Sequence, residues 1–331
     1  MSDRYSVLSN LTIDDQARLI LSLCEFFHPV NEEKIREELQ LPKTPGTILP
    51  LETGDFFQYM NNKGHDLWPK AQRIQELIEL MKQRAILKSC GGSSLKETLF
   101  FARELTKREA KGRLWLGRVL GCSYIGNEIQ KDIVYIEGKT TAGDISVGTG
   151  TLIENGIILT CAHVVDDMKV DHVIIRGEKK EIKGSASHKS VDVALILLKD
   201  RIEVQSKDLA FRDSALLEPV VIAGYPTVPR SLGPCYTLQK GEISGHLQET
   251  MDRYPMDLFS AIARPGNSGG PVLGEDGCIV GIVTRSLERQ QEESDAMSVF
   301  PFFASVPSQV VHRCVLELSE GSIDIKWENY A

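Results

Sequence analysis

"ARPGNSGGPVLG", residues 263–274, sets one serine among four glycines and two prolines. Two chemistries use such a loop. A phosphate cradle follows a strand, opens a helix and brings a lysine or a second glycine fingerprint with it. A nucleophile loop instead needs a base and an orienting carboxylate supplied from elsewhere in the chain. After Ser268 the sequence continues "GGPVLGEDGCIVGIVT", two apolar runs joined by the turn "GEDG", and neither GxxxxGK[ST] nor GxGxxG accompanies it. The phosphate reading fails, and the fold is decided by whether a base and a carboxylate lie on neighbouring strands.

Both are present. From about Asp132 the chain falls into short β-branched runs separated by turn residues: "IVYIEGK", "GTGTLIEN", "GIILTCAHVV", "HVIIRG", "VALILL", "PVVIAGYP", "CIVGIVT" and "FFASVP". Close spacing of this kind predicts an antiparallel barrel or sandwich. "LTCAHVVDD" places His163 at the end of one apolar strand, and "SVDVALILL" places Asp192 at the start of another. The chain order is therefore base, carboxylate, nucleophile. The other histidines, His28, His65, His172, His188, His246 and His312, have no such company and are read as structural. Cys161, beside the base, is read as a packed thiol.

In that order, "GTGTLI", "TCAHVV", "DVALILL", "GYP" and "GNSGGP" resemble the successive motifs of chymotrypsin-fold serine peptidases, most closely the bacterial high-temperature-requirement branch. The likeness runs from about 130 to 318, including a closing strand and C-terminal helix in "FFASVPSQVVHRCVLEL". It implies a serine endopeptidase with an antiparallel double β-barrel. Ser268 would attack the scissile carbonyl, His163 would be the general base, and Asp192 would fix its tautomer. The N–H groups of Gly266 and Ser268 would form the oxyanion hole, and the hydroxyl of Thr284 would support the carboxylate.

Departures from the family pattern carry further expectations. No "IVGG"-type terminus is seen, and Asn267 replaces the aspartate that such a terminus would pair with, so zymogen cleavage is not expected. The short stretch after 318 leaves no room for the peptide-binding module of the high-temperature-requirement proteases. Ile262 and Ala263, with Ser286 near the mouth, imply a small, apolar S1 pocket with no buried acid for Lys or Arg. Val283 stands where glutamate-specific relatives carry a histidine, while Arg264 and Arg285 keep an acidic P1 residue in play. No metal or other cofactor is implied. A cytosolic peptidase made without a pro-segment also predicts a resting state with the oxyanion loop around Gly266 poorly formed.

The composition agrees with that placement. In 331 residues, 42% are hydrophobic and 25% charged, with a net charge of −8. No uncharged apolar run reaches the ~18 residues of a membrane span, and the first residues lack a signal-peptide core. A cytoplasmic protein is expected, and the seven scattered cysteines, without a CxxC pair, suit a reducing compartment rather than zinc. The acidic balance makes nucleic acid an unlikely partner.

Ahead of the peptidase, residues 1–93 are expected to form an all-α adaptor or regulatory domain. Its helices are "TIDDQARLILSLCEFF", capped by Thr12, then "NEEKIREELQL" and "WPKAQRIQELIELMKQRAIL". Residues 94–129 follow as a linking helix, "LKETLFFARELTKREAKGRLWLGRVL", and connector, and 130–331 as the peptidase. "GDFFQYMNNKG" and "AQRIQELIELMKQR" resemble effector-associated and death-like adaptors of bacterial peptidases, which implies a protein partner in a defence or signalling system. Weighed beside it are a winged-helix or helix-turn-helix DNA binder using Lys34, Arg36, Lys70, Arg73, Lys82 and Arg84, and a catalytically inactive peptidase used as a scaffold.

Overall fold

The computed structural model describes residues 11–44, 46–93, 96–285 and 302–329. The chain divides into two compact units, residues 1–110 with 118–120, and residues 111–117 with 121–331.

The first unit is helical as expected, beginning with α1 (Ile13–Phe26), α2 (Glu32–Leu39), α3 (Thr53–Asn62) and α4 (Ala71–Gln83). Thr12 closes a capping box with Asp15 at the start of α1, as its hydroxyl and the acidic first turn dictate. "DFFQYM" lies inside α3 and turns Phe56 and Phe57 inward. These meet Phe26, Phe27 and Phe100 in a cluster of mostly edge-to-face rings, with Phe26 and Phe27 centroids 5.0 Å apart.

This unit is not helical throughout. β1 (Leu51–Glu52), β2 (Leu87–Ser93) and β3 (Lys96–Ala102) form an antiparallel sheet in the order β1-β3-β2. The linking helix expected over 95–120 is therefore replaced at its start by a strand. "LKETLFFA" carries apolar residues at both helical and alternating spacings, and its strand pairs antiparallel with β2. Only the short α5 (Gly117–Leu120) and α6 (Cys122–Ile129) are helical further on. The unit thus combines its helices with a three-stranded antiparallel sheet, where an all-helical domain is expected.

The second unit has the expected chymotrypsin-type architecture. Its first sheet comprises β4 (Ile133–Thr140), β5 (Ile145–Glu154), β6 (Ile157–Thr160), β7 (Met168–Ile175), β8 (Glu178–Lys180), β9 (Ile182–Ser187) and β10 (Ala194–Leu198). They pair antiparallel in the order β8-β7-β4-β5-β6-β10-β9. Between β6 and β7 the chain makes α7 (Ala162–Asp166). β11 (Pro219–Gly224), β12 (Thr237–Leu247), β13 (Met256–Phe259), β14 (Pro271–Gly274), β15 (Ile279–Val283) and β16 (Phe303–Pro307) close into a six-stranded barrel, followed by α8 (Ser308–Leu318). Ile136, Leu152, Ile158, Ile196, Leu273, Ile282 and Val306 are fully buried in one core shared by both sheets. The strands are short and β-branched, so each buries one face or both without a long apolar run.

Candidate active site

Strand register brings the base and the carboxylate together. β6 pairs with β10 so that Thr160 faces Ala194. His163 lies three residues past the end of that ladder on one strand and Asp192 two residues before it on the other, on the same edge of the sheet. The sequence puts His163 at a strand end; in the structure the strand stops at Thr160 and His163 is the second residue of α7.

Asp192 is tightly held. Its Oδ2 and Oδ1 lie 2.8 and 3.0 Å from His163 Nδ1. Oδ1 also accepts the His163 backbone N–H at 3.0 Å, and Oδ2 accepts the Thr284 hydroxyl. Burial alone would raise this carboxyl's pKa, but the bonds from His163 and Thr284 outweigh it and hold Asp192 well below the usual carboxylate range. An ionised Asp192 on Nδ1 keeps the proton there and leaves Nε2 as the basic nitrogen.

Ser268 sits on the loop between β13 and β14, part-exposed, between Gly266 (φ 98°) and Gly269 (φ 83°). A Cβ at Gly269 would lie 2.2 Å from Thr160 Oγ1, and one at Gly266 2.6 Å from the Tyr225 carbonyl. Glycine is required at both for space as well as for φ. The loop is fastened to β5 and β15. Ser268 C=O accepts from Thr149 N–H at 2.9 Å, Gly269 N–H donates to Val283 C=O at 2.8 Å, and the Cys161 thiol faces the same Val283 carbonyl at 3.1 Å. The Ser268 hydroxyl does not hydrogen-bond His163 in this structure. Such bonds commonly tighten only when substrate is bound.

The carbonyls on both sides of the Gly266 amide are hydrogen-bonded. Pro265 C=O accepts from Thr227 N–H at 2.9 Å. Because the peptide is trans and planar, Gly266 N–H points the opposite way. Among the described residues neither this N–H nor that of Ser268 donates a hydrogen bond.

Donor atoms of Cys161, His163 and Asp192 lie within 4.8 Å of one another, the spacing of a cation site. They are already committed to other work: His163 Nδ1 and Asp192 bind each other, and burial pushes the Cys161 thiol well above its ordinary pKa, away from the thiolate a metal needs.

Of the S1 residues, Ile262 is 49% exposed, Ala263 packs beside Val220, Ile222, Phe259 and Val283, and Ser286 lies outside the described residues, as does the acidic run at 287–296. A second feature escaped the sequence reading. A cavity of about 380 Å³ adjoins His163 and Asp192, lined also by His188, Asp252, Tyr254, Met256 and Arg285. Tyr254 is 93% buried there, its phenol raised by burial and by the nearby Asp192 charge. No motif marks Asp252 and Tyr254, which arrive through the β12–β13 connection. His188, read as structural, bonds the Val191 N–H at 3.1 Å and so braces the approach to Asp192.

Residues 148–282 match the family described as the trypsin-like peptidase domain. That stretch contains His163, Asp192 and Ser268. The chain is 26% identical over 198 residues to an HtrA-like serine protease of Staphylococcus epidermidis, covering 53% of this chain and 32% of that protein. It is also 26% identical over 238 residues to an HtrA-like serine protease of Staphylococcus aureus, covering 62% and 30%. The chain thus spans about a third of the length of these curated relatives. Among solved structures it is similar to a protease of M. tuberculosis in its active form, with TM-score 0.46, 19% identity, and 62% of this chain and 86% of that one covered. A serine endoprotease from Yersinia pestis gives TM-score 0.45 at 20% identity, covering 60% and 66%.

Proposed function

We propose that this chain is a serine endopeptidase acting on protein or peptide substrates through an acyl-enzyme. Ser268 Oγ attacks the scissile carbonyl, and His163 Nε2 takes its proton and returns it to the leaving amine. Asp192 stabilises the imidazolium, and the amides of Gly266 and Ser268 hold the oxyanion. The observation that carries this reading is the ionised Asp192, bound by His163 and Thr284 beside a glycine-framed serine whose loop keeps two amides unspent. The S1 site around Ile262, Ala263 and Ser286 favours small apolar residues. A fluorophosphonate probe tests the proposal: stoichiometric labelling of Ser268, lost in Ser268→Ala, supports it. The absence of a Ser268–His163 hydrogen bond favours one competing reading, an inactive peptidase-like module, and no labelling under any condition would establish it. EDTA should leave turnover unchanged, since no step uses a metal.

The unit of residues 1–110 is proposed to couple the peptidase to a protein partner, in a bacterial defence or signalling system. Its α3–α4 face carries an open cavity of about 810 Å³ lined by Phe57, Trp68 and Leu80, with Trp68 57% exposed. The only charged side chains lining it are Glu76 and Glu79. The DNA-binding alternative relies on basic side chains, but on α4 Arg73 is paired with Glu76 at 2.7 Å and Lys82 with Glu79 at 3.0 Å. An acid-rimmed apolar groove suits a protein better than a phosphate backbone. A cytoplasmic location is proposed from the seven scattered cysteines, which include no CxxC pair. No helix among the described residues is long and apolar enough to cross a membrane.

A further inference from the structure

Thr149, in the "GTGTLI" stretch of β5, is completely buried, and all of its hydrogen-bonding groups are engaged outside the strand ladder. Its hydroxyl donates to Gly266 C=O at 2.6 Å and accepts from Tyr225 N–H at 2.9 Å. Its own N–H donates to Ser268 C=O at 2.9 Å. Its C=O accepts the hydroxyl of Thr160, the last residue of the strand leading to His163, at 2.7 Å. One side chain on the first sheet thus grips the loop that carries the nucleophile.

The geometry on either side of Gly266 explains what that grip does. The direction of Gly266 N–H is set by the 265–266 peptide, whose carbonyl is held by Thr227 N–H, and the next peptide plane is set by the Thr149 hydroxyl on Gly266 C=O. Glycine at φ 98° has little intrinsic preference against rotating. With the Thr149 bond removed, a buried carbonyl is left without its partner, and turning the peptide to find another donor is the cheapest repair. That rotation turns the Asn267 N–H off the Arg264 C=O to which it donates at 2.9 Å, which opens the turn 264–267 whose middle peptide carries the Gly266 amide and lets that amide leave the oxyanion hole. The Tyr225 bond adds a second anchor, because it ties the same hydroxyl to the segment Tyr225–Thr227 that holds Pro265.

We propose that Thr149 is a positioning residue for the reaction: its hydroxyl locks Gly266 in the conformation that presents the oxyanion amide, without touching substrate. The inference rests on the peptidase reading, and it adds a residue to which no catalytic motif points.

The test compares full-length wild type with Thr149→Val, nearly isosteric but without the hydroxyl, and Thr149→Ser, which restores it. Thr149→Val should lower kcat by about 10- to 100-fold, less than the 10²–10³-fold of deleting an oxyanion donor outright, with KM for a small peptide little changed. A peptide aldehyde, which becomes tetrahedral on Ser268, should weaken by a similar factor. Thr149→Ser should recover most of both. Amide hydrogen exchange across residues 263–270 should accelerate in Thr149→Val and return towards wild type in Thr149→Ser. A merely structural threonine would lower the melting temperature but leave kcat intact below it, and that result overturns the proposal. So does a loss confined to KM, or one that serine does not repair. If wild type neither labels with fluorophosphonate nor cleaves, the peptidase reading falls, while the exchange arm still decides whether Thr149 pins the loop.

Discussion

The two units bury different things. Residues 1–110 bury an aromatic cluster and a few charges whose partners are backbone carbonyls and neighbouring ions: Arg36 reaches Glu32 and the carbonyls of Pro42, Leu49 and Pro50, and Glu109 takes both arms of the Arg103 guanidinium at 2.7 Å. Residues 121–331 bury polar groups as well, including Thr149, Thr160 and Thr284. Polar burial by itself therefore does not mark a site. The difference is saturation. In the first unit Arg36 and Glu109 are completed by their neighbours, whereas in the second Thr149, Thr160 and Thr284 brace a site that leaves the Ser268 hydroxyl, two amides and the distal nitrogen of His163 uncommitted together. A group held in place but not satisfied is available for chemistry.

The sharpest way to break this contrast is to remove the uncommitted groups. Ser268→Ala and His163→Ala should each lower kcat by about 10⁶-fold, the size found when subtilisin loses one such member. Asp192→Asn should lower it by about 10⁴-fold, as in trypsin, because the wrong nitrogen then carries the proton. All three should keep the wild-type circular dichroism spectrum. A Ser268→Ala protein that retained substantial turnover would mean that the site lies elsewhere.

Next comes the aromatic cluster. Phe56 is fully buried and contacts Phe26, Phe27 and Phe57, so Phe56→Ala should destabilise its unit by about 3–5 kcal/mol. Measured by peptide cleavage well below the unfolding temperature, kcat should stay at wild type. If it fell as far as in the Ser268 variant, the separation between a packing unit and a catalytic unit would be false.

This contrast also explains which parts of the molecule were legible in the sequence. The barrels announce themselves because each strand is a β-branched run bounded by turns, and because "GNSGGP" has no alternative packing use for its glycines. The pairing of His163 with Asp192 was readable for the same reason, since each sits in a short motif, and Thr284 came from the resemblance to the peptidase family. "LKETLFFA" was misread because its eight residues fit either period and the strand partner Leu51–Glu52 is a two-residue bridge that no local pattern reveals. The Tyr254 and Met256 wall of the cavity was invisible because it depends on which connection folds over Asp192. Thr149 was in plain view within "GTGTLI", yet only tertiary contacts show that its hydroxyl faces the oxyanion loop.

Acid should separate the units more gently. Asp192 has its pKa depressed in the folded protein, so its contribution to stability is fully present above the ordinary carboxylate value and is lost as pH falls towards the folded one. Glu109 in the first unit is likewise depressed: burial raises it, but the bonds from Arg103 and Thr106 prevail. Both units should weaken below about pH 4. Asp192→Asn removes that dependence from the peptidase alone. Urea titrations from pH 6 to pH 2.5, followed through Trp68 for the first unit and Trp115 and Trp327 for the second, should show a shallower acid slope for the second unit only. Equal flattening in both would show that the units unfold as one.

The smallest effect on the folded chain should come from the groove of the first unit, and it discriminates between a partner-binding module and a plain stabilising cap. Leu80 is 40% exposed, and surface changes of this kind usually stay within about 0.5 kcal/mol. Trp68 is more exposed but stacks on Phe57 with centroids 4.7 Å apart, so Trp68→Ala should cost about 1 kcal/mol. Neither residue lies near the triad-bearing sheets in sequence, and small-peptide kcat/KM should be unchanged in the double variant. A partner seated in this groove would nonetheless lose its anchor, since exposed aromatic and aliphatic groups in a concave patch dominate such interfaces. Cleavage of whole proteins in an extract of the source cells, compared by peptide mass spectrometry between wild type and the Trp68→Ala, Leu80→Ala protein, reads that loss directly. Substrates that disappear while peptide turnover holds would assign the groove to targeting or control. An identical cleavage profile, with matching rates at every site, would make the first unit a cap whose exposed tryptophan has no partner.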